Sequence, residues 1–344
     1  MTRTGSRTTG RPTLAEVAKL SGVSPITASR ALRGVSTVAP ALAEKVQAAA
    51  ATLGYIANPA ARALASARSH SVVVLIPSLS NHLFIDTLEA IHEVMRPRGL
   101  EVLIGNYHYD AVEEENLIRN YLAYQPCGIL LTGLERSEAS RQMLAASGVP
   151  CVHMMELGGA ELGGAGEALS VGFSQFEAGR AAARHLIARG RRRLGFIAAQ
   201  LDRRVMQRAE GFRQGLAEAG LSAPELELLA PEPSSIALGG ALFSQLLAQA
   251  DDVDGLFFCN DDLAQGAVLQ ALREDIAVPG RVAMVGFNDL PASAHMVPRL
   301  TSIRTPRAAV GRAAAQALLT LLDGKRVAVS QLDLGFELMV RESS

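Results

Sequence analysis

From residue 71 onward, short apolar runs alternate with longer helical patterns, and this alternation constrains the fold more than any other feature of the sequence. The apolar runs are almost continuous, as expected for parallel strands that are covered on both faces. Between them, apolar residues recur at the three- and four-residue spacing of amphipathic helices. The sequence therefore predicts an α/β fold with doubly wound parallel sheets and enough chain for two lobes. The predicted strands cover residues 72–77, 101–106, 127–132, 149–154, 194–199, 255–259 and 282–287.

The predicted strand ends carry none of the loops that nucleotide-dependent enzymes use. No GxGxxG or GxxxxGK[ST] sequence follows a strand, and the chain contains no GxSxG or HExxH motif. The seven histidines are scattered, so local spacing assembles neither a Ser-His-Asp set nor a metal site. We therefore expect a protein that is not an enzyme, with no cofactor and no metal.

Cysteine usage and the N-terminus indicate a cytoplasmic protein. Cys127, Cys151 and Cys259 lie far apart with no CxxC pair, which is typical of reduced thiols in a cytosolic protein. The opening string MTRTGSRTTGRPT contains no apolar stretch that could act as a signal peptide. No apolar run is long enough to span a bilayer, so no membrane partner is expected.

Charge is divided unevenly along the chain, although the net charge is −1. Residues 1–70 hold nine basic and two acidic residues, a balance of +7, whereas the remainder has a balance of −8. Such asymmetry indicates either a basic module that meets a polyanion or a disordered basic tail. A disordered tail suits residues 1–12, but it does not suit the patterned segment that follows.

The string TLAEVAKLSGVSPITASRALRG has the pattern of two short helices that meet at a glycine. Thr13 and Glu16 form a capping box that begins the first helix, and Gly22 supplies the turn. Ser24 and Pro25 begin the second helix as its N-cap and first residue. A plain helical hairpin would show the same pattern. The local charge of +7 favours a helix-turn-helix DNA-binding domain.

The second of these helices should present its polar side to DNA. Its buried side is predicted to be Ala28, Ala31 and Leu32, and the outward residues are Ile26, Thr27, Ser29, Arg30 and Arg33. Hydroxyls and N–H groups at a helix N-terminus anchor phosphates, and arginine can bind guanine bidentately. A third helix is predicted at 40–54. The segment at 55–71 is either a linker or a short helix with Leu64 as an apolar wedge for the minor groove.

Several strings together resemble the lactose-repressor/galactose-repressor (LacI/GalR) family of transcription regulators. They are TLAEVAKLSGVSPITASRALRG, LGYIANPAARALA, LFFCNDDLAQGA, VGFNDLPASAHMVPRLTSIRTP and LGFELMVRESS, in family order. The resemblance implies a two-lobed core of periplasmic-binding-protein type, preceded by an all-α helix-turn-helix domain. It implies a helix-turn-helix domain at 13–57, a hinge helix at 58–70 and a core at 71–344. The first lobe would cover 71–168 and 304–330, and the second lobe 169–303 and 331–344.

The resemblance also implies which residues contact DNA. Base readers fall on Pro25, Ile26 and Arg30, with a thymine methyl as the partner of Ile26. Leu64 matches a leucine that wedges into the operator, and Asn58 an asparagine that opens the hinge. Because such hinges order in pairs on DNA, the family implies a homodimer on a near-palindromic operator at the nucleoid. The implied DNA-binding residues are Thr13, Ser24, Pro25, Ile26, Thr27, Ser29, Arg30, Arg33, Asn58 and Leu64.

Within the family, VVVLIPSLSNHLF and SVGFSQFEAGR are most similar to strings of gluconate-operon repressors. The implied effector is a sugar acid, gluconate or a derivative, bound between the lobes. An aromatic face, a carboxylate that accepts hydroxyl protons and an arginine clamp suit such a ligand. The implied effector-binding residues are His82, Phe84, Tyr107, Arg203, Arg208, Ser234 and Asp261.

Other interpretations of these residues remain open. Phe84 could pack in the core, and the arginines could be solvated at a helix start. The chain could also be a sugar- or nucleoside-responsive regulator, a cytosolic sugar-binding protein or a sugar-acid enzyme. The chain departs from the family pattern at two places: Ser174 and Gln175 stand where the family has Asp-Asn, and Gly190, Arg191 and Arg192 stand where it has Gly-His-Arg. With no leucine heptads after the core, a tetramer is not expected.

Overall fold

The chain forms two compact units, Met1–Ser69 and His70–Ser344. The computed structural model of the protein describes residues 12–35, 37–56, 69–79, 82–158 and 169–344. The basic tail before residue 12 and the hinge residues Asn58 and Leu64 lie outside the described residues.

Within the described residues of the first unit there are three helices: α1 (Leu14–Ser21), α2 (Pro25–Leu32) and α3 (Pro40–Leu53). The capping box predicted for α1 is confirmed, since the Thr13 N–H donates to Glu16 Oε2 at 2.7 Å. Gly22 ends α1 with a φ of 69°, a left-handed conformation that glycine adopts without strain. Two residues later, Ser24 caps α2 by accepting the Thr27 N–H at 3.1 Å.

Small apolar side chains fill the centre of the first unit. Alanines dominate the contact between helices and allow their backbones to approach closely. Leu20, near the end of α1, is about half exposed. The buried residues are Val17, Ala18, Ala28, Ala31, Val46, Ala49 and Ala50. The turn and the small core together fix which face of α2 points outward.

Two six-stranded sheets form the second unit, one in each lobe. The first contains β1 (Ser71–Ile76), β2 (Glu101–Asn106), β3 (Gly128–Thr132), β4 (Cys151–Met154), β5 (Leu169–Gly172) and β11 (Gln331–Asp333). The second contains β6 (Leu194–Ala199), β7 (Glu227–Ala230), β8 (Gly255–Phe258), β9 (Ala283–Asn288), β10 (Thr301–Arg304) and β12 (Glu337–Met339). Their orders are β11-β5-β4-β3-β1-β2 and β12-β10-β9-β8-β6-β7. All strand pairs described are parallel except β10 with β12.

Helices cover the faces of these sheets, so the predicted doubly wound α/β class is confirmed. They are α4 (Leu83–Met95), α5 (Ala111–Ala123), α6 (Glu138–Ser147), α7 (Gln175–Ala188), α8 (Arg203–Glu218), α9 (Ile236–Gln249), α10 (Asp261–Arg273) and α11 (Arg307–Leu322). Short 3-10 helices lie at Arg96–Arg98, Pro224–Leu226 and Pro291–Ala294. Among the helices described, none is long and apolar enough to cross a membrane.

The lobe boundaries differ from the prediction at two strands. β5 was expected in the second lobe, but it pairs with β4 through Val152 and Leu169. β11 was also expected there, but it pairs with β5. The pairing of these short strands therefore extends the first lobe, and the chain crosses between lobes after Gly172, after Arg304 and after Asp333.

Glycines bring helices α7 and α8 into backbone contact. A Cβ added at Gly211 of α8 would lie 1.9 Å from the carbonyl oxygen of Phe176 on α7. A Cβ added at Gly179 of α7 would lie 2.0 Å from the carbonyl oxygen of Arg208. Only glycine permits this approach. The contact fixes the position of α8, which begins at the opening between the two lobes.

We expect Gly211→Ala to lower the free energy of unfolding by about 2–3 kcal/mol, because the helices must separate to admit a methyl group. Gly240→Ala in α9 is the comparison, since its Cβ would lie 3.3 Å from the nearest atom, Gly266 O, a contact that a shift of a few tenths of an ångström relieves. Elsewhere in a helix the same change is favourable by about 0.5–1 kcal/mol. Urea unfolding of both variants measures the difference. Equal stability of the two variants would show that the α7–α8 contact tolerates a side chain.

Candidate functional site

The outward face of α2 carries the side chains predicted for DNA contact. Ile26 is 67% exposed, and Pro25, Arg30 and Arg33 are also exposed. Ala28 and Ala31 are buried on the opposite side, which sets the rotation of the helix. Thr27 and Ser29 are half-buried beside the exposed face, and the remaining candidates, Thr13 and Ser24, cap the starts of α1 and α2.

Hydrogen bonds within the unit orient part of this face. The Ser24 hydroxyl lies 2.9 Å from the Thr27 hydroxyl as well as capping the helix. The Arg33 Nε donates to the Ser29 carbonyl oxygen at 3.2 Å. In the described part of the chain no side-chain bond holds the Arg30 guanidinium. An exposed arginine at this place on a helix can reach a base edge in the major groove.

A cavity of about 610 Å³ lies between the two lobes of the second unit. Loops after the strands line it, as expected where ligands bind to doubly wound sheets. Tyr107 and Glu156 come from the first lobe, and Asp202 and Arg203 from the second. A smaller inner pocket of about 50 Å³ shares Tyr109, Gln200, Asp202 and Arg204 with this outer cavity.

Left-handed backbone conformations occur at the strand ends that border these cavities. Tyr109 follows β2 with a φ of 59°, and Met155 follows β4 with a φ of 70°. Gln200 follows β6 with a φ of 55°, and Asn288 ends β9 with a φ of 102°. Such conformations are uncommon outside glycine and occur often at ligand sites. Their clustering here supports the cavities as a binding site.

Each arginine that lines the outer cavity has a carboxylate partner. Arg203 Nε lies 3.0 Å from Glu156 Oε1, an ion pair that joins the two lobes. Arg204 Nη2 donates to Asp202 Oδ2 at 2.5 Å. Burial alone would lower the pKa of Arg204, but Asp202 raises it above its ordinary value. Burial also raises the pKa of Glu156, which Arg204 and Arg203 oppose.

The third pair, Arg136 with Glu114, is buried in the wall of the outer cavity. Arg136 Nε lies 3.3 Å from Glu114 Oε1, and the other guanidinium nitrogens donate to the carbonyl oxygens of Gly133 and Thr132. Burial raises the pKa of Glu114, and Arg136 opposes this. The cations of the outer cavity are therefore compensated.

Arg208, at the inner pocket, differs from these three arginines. Its Nη1 donates to the amide oxygen of Gln175 at 2.5 Å, and its guanidinium carbon lies 4.2 Å from the ring centre of Phe287. Within the described chain, no carboxylate lies at ion-pair distance from Arg208, and its buried Nε has no hydrogen-bond partner. Burial lowers the pKa of Arg208. A buried charge is costly unless it is paired, so this guanidinium is poised to bind an anion.

Two of the residues implied as effector ligands are not among the residues that line the cavities. His82 is exposed at the start of α4. Burial raises the pKa of Asp262, and the nearby His82 opposes this shift. Ser234 is hydrogen-bonded to the Asn260 side chain at 2.8–3.0 Å. Tyr107 and Arg203 do line the outer cavity, and Arg208 lines the inner pocket.

The effector roles implied for Phe84 and Asp261 are not supported by the structure. Phe84 is 1% exposed and packs in the core of the first lobe. Asp261 is fully buried, and its Oδ2 accepts the Leu290 N–H and the Ser293 hydroxyl, both at 2.6 Å. Its Oδ1 accepts the Ser302 hydroxyl at 2.7 Å. The carboxylate joins the start of α10 to the loop after β9, so it cannot also face the cavity.

We expect Asp261→Asn to leave the affinity for a cavity ligand within about twofold. The amide oxygen can accept from Leu290 and Ser293 while the amide nitrogen donates to Ser302. Calorimetric titration measures the affinity. A large loss would show that Asp261 contacts the ligand.

The same variant should also alter the pH dependence of stability. Burial raises the pKa of Asp261 from 3.8 to about 6. Because the folded protein holds this proton more tightly than the unfolded chain, the group favours folding below about pH 4. That contribution is lost as the pH rises through 6, whereas asparagine does not titrate. Wild type should lose more unfolding free energy than the variant between these pH values, as urea unfolding at each pH would measure.

Several residues that line the cavities were not predicted from the sequence. Tyr109, Glu156 and Asp202 each lie just after a parallel strand, which is the signal that could have identified them. Gln175 was noticed only as a departure from the family pattern. Phe287 lies within a continuous apolar strand, where its contact with Arg208 has no sequence signal.

Neither metal-binding nor redox chemistry is indicated by the described part of the chain. It contains no group of three or more His, Cys, Asp or Glu side chains that could hold a metal. The three cysteines are free thiols. Burial raises the pKa of Cys259 to about 11 and that of Cys151 to about 11, so both thiols stay protonated near neutral pH.

The two units match known families. A family model of bacterial regulatory proteins, lacI family, matches residues 13–58. A model of periplasmic binding protein-like domains matches residues 183–344. The chain belongs to the LacI family of DNA-binding transcription regulators, as its overall identity to family members also shows.

Individual relatives show where the chain lies within this family. The HTH-type transcriptional regulator GntR of Pseudomonas aeruginosa is 66% identical over 340 residues, covering 98% of this chain and 97% of the relative. The crystal structure of the transcription regulator GntR from Chromobacterium violaceum has 47% identity and a TM-score of 0.77, covering 80% of this chain and 99% of that one. A complex of the transcriptional regulator CelR with cellobiose has 29% identity and a TM-score of 0.70, covering 97% and 100%. These relatives are transcription regulators.

Proposed function

We propose that this protein is a homodimeric repressor that binds a near-palindromic operator and releases it when a sugar acid occupies the interlobe cavities. The effector is gluconate or a close derivative, such as a ketogluconate or phosphogluconate. As a repressor of chromosomal genes, the protein acts in the cytoplasm at the nucleoid. Similarity to relatives that are named as transcription regulators supports the regulatory role, and the chemistry of the cavities supports the class of effector.

The uncompensated Arg208 guanidinium is the observation that carries the assignment of an acid. A guanidinium binds a carboxylate through two parallel hydrogen bonds, and Arg208 Nε lacks any partner in the described chain. A neutral sugar or a nucleoside would leave the buried charge unpaired. A sugar acid neutralises it and is therefore the better match.

The outer cavity suits the polyol part of such a ligand. Asp202 and Glu156 are ion-paired, but each carboxylate keeps lone pairs that can accept hydroxyl protons. The aromatic side chains of Tyr107 and Tyr109 line the same space and can pack against C–H groups of a sugar chain. The arrangement offers one cation for the carboxylate and several acceptors for hydroxyls.

Contacts between the lobes give the effector a way to change the shape of the second unit. The Arg203–Glu156 ion pair and the bond from Gln175 Nε2 to the Met155 carbonyl oxygen both join the lobes. A ligand that competes for these groups shifts the balance between lobe arrangements. This shift would act on DNA binding through the hinge segment, where the family resemblance assigns roles to Asn58 and Leu64. Operator affinity would then fall.

The DNA-binding part of the proposal assigns the exposed face of α2 to the major groove. Ile26 would contact a thymine methyl, because it is apolar and exposed. Arg30 would bind a guanine. The hydroxyls and helix-start N–H groups would contact phosphates, with Thr13, Ser24, Thr27, Ser29 and Arg33 as the proposed residues.

A thermal-shift and calorimetric panel tests the class of effector. Gluconate, 2-ketogluconate and 6-phosphogluconate represent the acids, glucitol the neutral polyols and adenosine the nucleosides. A ligand at about 100 times its dissociation constant stabilises the folded state by about 2.7 kcal/mol, which a melting curve resolves. At least one acid should bind, and more tightly than glucitol. Binding of adenosine or glucitol with no binding of any acid would contradict the proposal. An unchanged ligand after incubation separates a regulator from a sugar-acid enzyme.

A further inference from the structure

We propose that Gln175 determines the charge selectivity of the inner pocket, because it offers Arg208 a neutral amide where a carboxylate would fit. The inference rests on the proposed function, since it concerns how the same cavities distinguish acids from neutral polyols. Gln175 begins α7 and is 4% exposed. Its side chain lies between a second-lobe arginine and the backbone of the first lobe.

Both ends of the Gln175 amide are engaged. Nε2 donates to the Met155 carbonyl oxygen at 2.9 Å, and Oε1 accepts from Arg208 Nη1 at 2.5 Å. Because one end must donate and the other must accept, the amide cannot rotate without losing both bonds. The oxygen is therefore held against the guanidinium.

Glutamate has nearly the same shape as glutamine, but it adds a negative charge beside Arg208 and loses the donor to the Met155 carbonyl oxygen. A glutamate here would place a carboxylate oxygen where Oε1 accepts from Arg208. The buried arginine would then have an internal counter-ion, as Arg203, Arg204 and Arg136 have in the outer cavity. A pocket with that internal pair would have no positive charge left for an acidic ligand.

Because the site is buried, a charge on residue 175 would have a strong effect on Arg208. Arg208 and Gln175 are both buried, and charges interact more strongly where water is excluded. Asp202 is the carboxylate that affects the pKa of Arg208, and it is already paired with Arg204. The neutral amide of Gln175 thus leaves the positive charge of Arg208 in the inner pocket without a counter-ion. An anionic ligand can supply that counter-ion.

Three variants test the role of Gln175 by calorimetric titration with gluconate. Q175E should lower the affinity at least about 30-fold, because the introduced carboxylate replaces the ligand as the partner of Arg208. Q175M has a similar length and no charge, so it should lower the affinity by no more than about fivefold. Q245E adds the same charge on the exposed face of α9, outside the cavities, and should match wild type.

The outcomes separate this inference from the proposed function. If wild type binds gluconate and Q175E binds it within about threefold of wild type, the inference is overturned and the proposed function stands. An equal loss in Q175M and Q175E would overturn it too, by showing that the hydrogen bonds matter and the charge does not. If wild type binds none of the sugar acids in the panel, both fail.

A measurement without ligand adds an independent check. Both variants lose the donor to the Met155 carbonyl oxygen, and Q175E should unfold at a higher temperature than Q175M because only Q175E pairs the buried cation. A lower melting temperature for Q175E would contradict the assignment even where both variants bind ligand weakly.

Discussion

Replacing Arg208 with methionine should lower the affinity for gluconate at least about 100-fold, measured by calorimetric titration. The variant removes the one buried cation that lacks a carboxylate partner in the described chain. A ligand carboxylate would then be buried without a counter-charge, at a cost of about 3 kcal/mol or more. Methionine keeps an apolar side chain of similar length against Phe287, so the pocket does not collapse.

Stability provides the control for this variant. R208M removes an uncompensated buried charge but leaves Gln175 Oε1 without its donor, so its free energy of unfolding should stay within about 2 kcal/mol of that of wild type. Arg213→Met is the matched change on the same helix, where the arginine is exposed and pairs with Glu227 at 2.5 Å. That variant should bind gluconate as wild type does. If R208M bound gluconate with wild-type affinity, Arg208 would not be a ligand-binding residue.

Replacing Arg30 with alanine should lower operator affinity about 10- to 100-fold. Arg30 is exposed on the face of α2 opposite Ala28 and Ala31, where a guanidinium can bind a guanine bidentately. Affinity for DNA that lacks the operator should fall much less, because phosphate contacts dominate that binding. Fluorescence anisotropy with operator and scrambled duplexes at one salt concentration measures both affinities.

A matched control tests whether the position of the lost positive charge matters. Arg273→Ala removes an exposed arginine from α10 of the second unit and should leave both affinities unchanged. If R30A weakens operator and scrambled DNA equally, Arg30 contacts a phosphate and reads no base.

Much of the fold could be predicted because its signals are local. The capping box of α1, the glycine turn and the proline at the start of α2 each depend on residues within one turn of helix. β1, β6 and β9 are apolar almost throughout because both faces are covered. β5, β7 and β10 are four residues long, and β10 carries threonine, serine and arginine, so no periodicity distinguishes them from loops. Their pairing depends on strands far away in the sequence.

The cavities could be predicted in part, for a related reason. Tyr107, Arg203 and Arg208 line them, as the resemblance implied. Asp261 follows a strand in the same way, but its partners Ser293 and Ser302 are 32 and 41 residues downstream. Only the folded structure shows that these hydroxyls donate hydrogen bonds to Asp261. The sequence shows that an acid follows the strand, but it does not show which way the side chain points.

Release of operator DNA by a sugar acid tests the account most directly. The complex of wild-type protein with labelled operator is titrated with gluconate and, separately, with glucitol at the same concentrations. Gluconate is expected to release the operator and glucitol is not, and R208M is expected to stay bound in both titrations. Equal release by glucitol, or release of R208M by gluconate at the wild-type concentration, would contradict the proposed function.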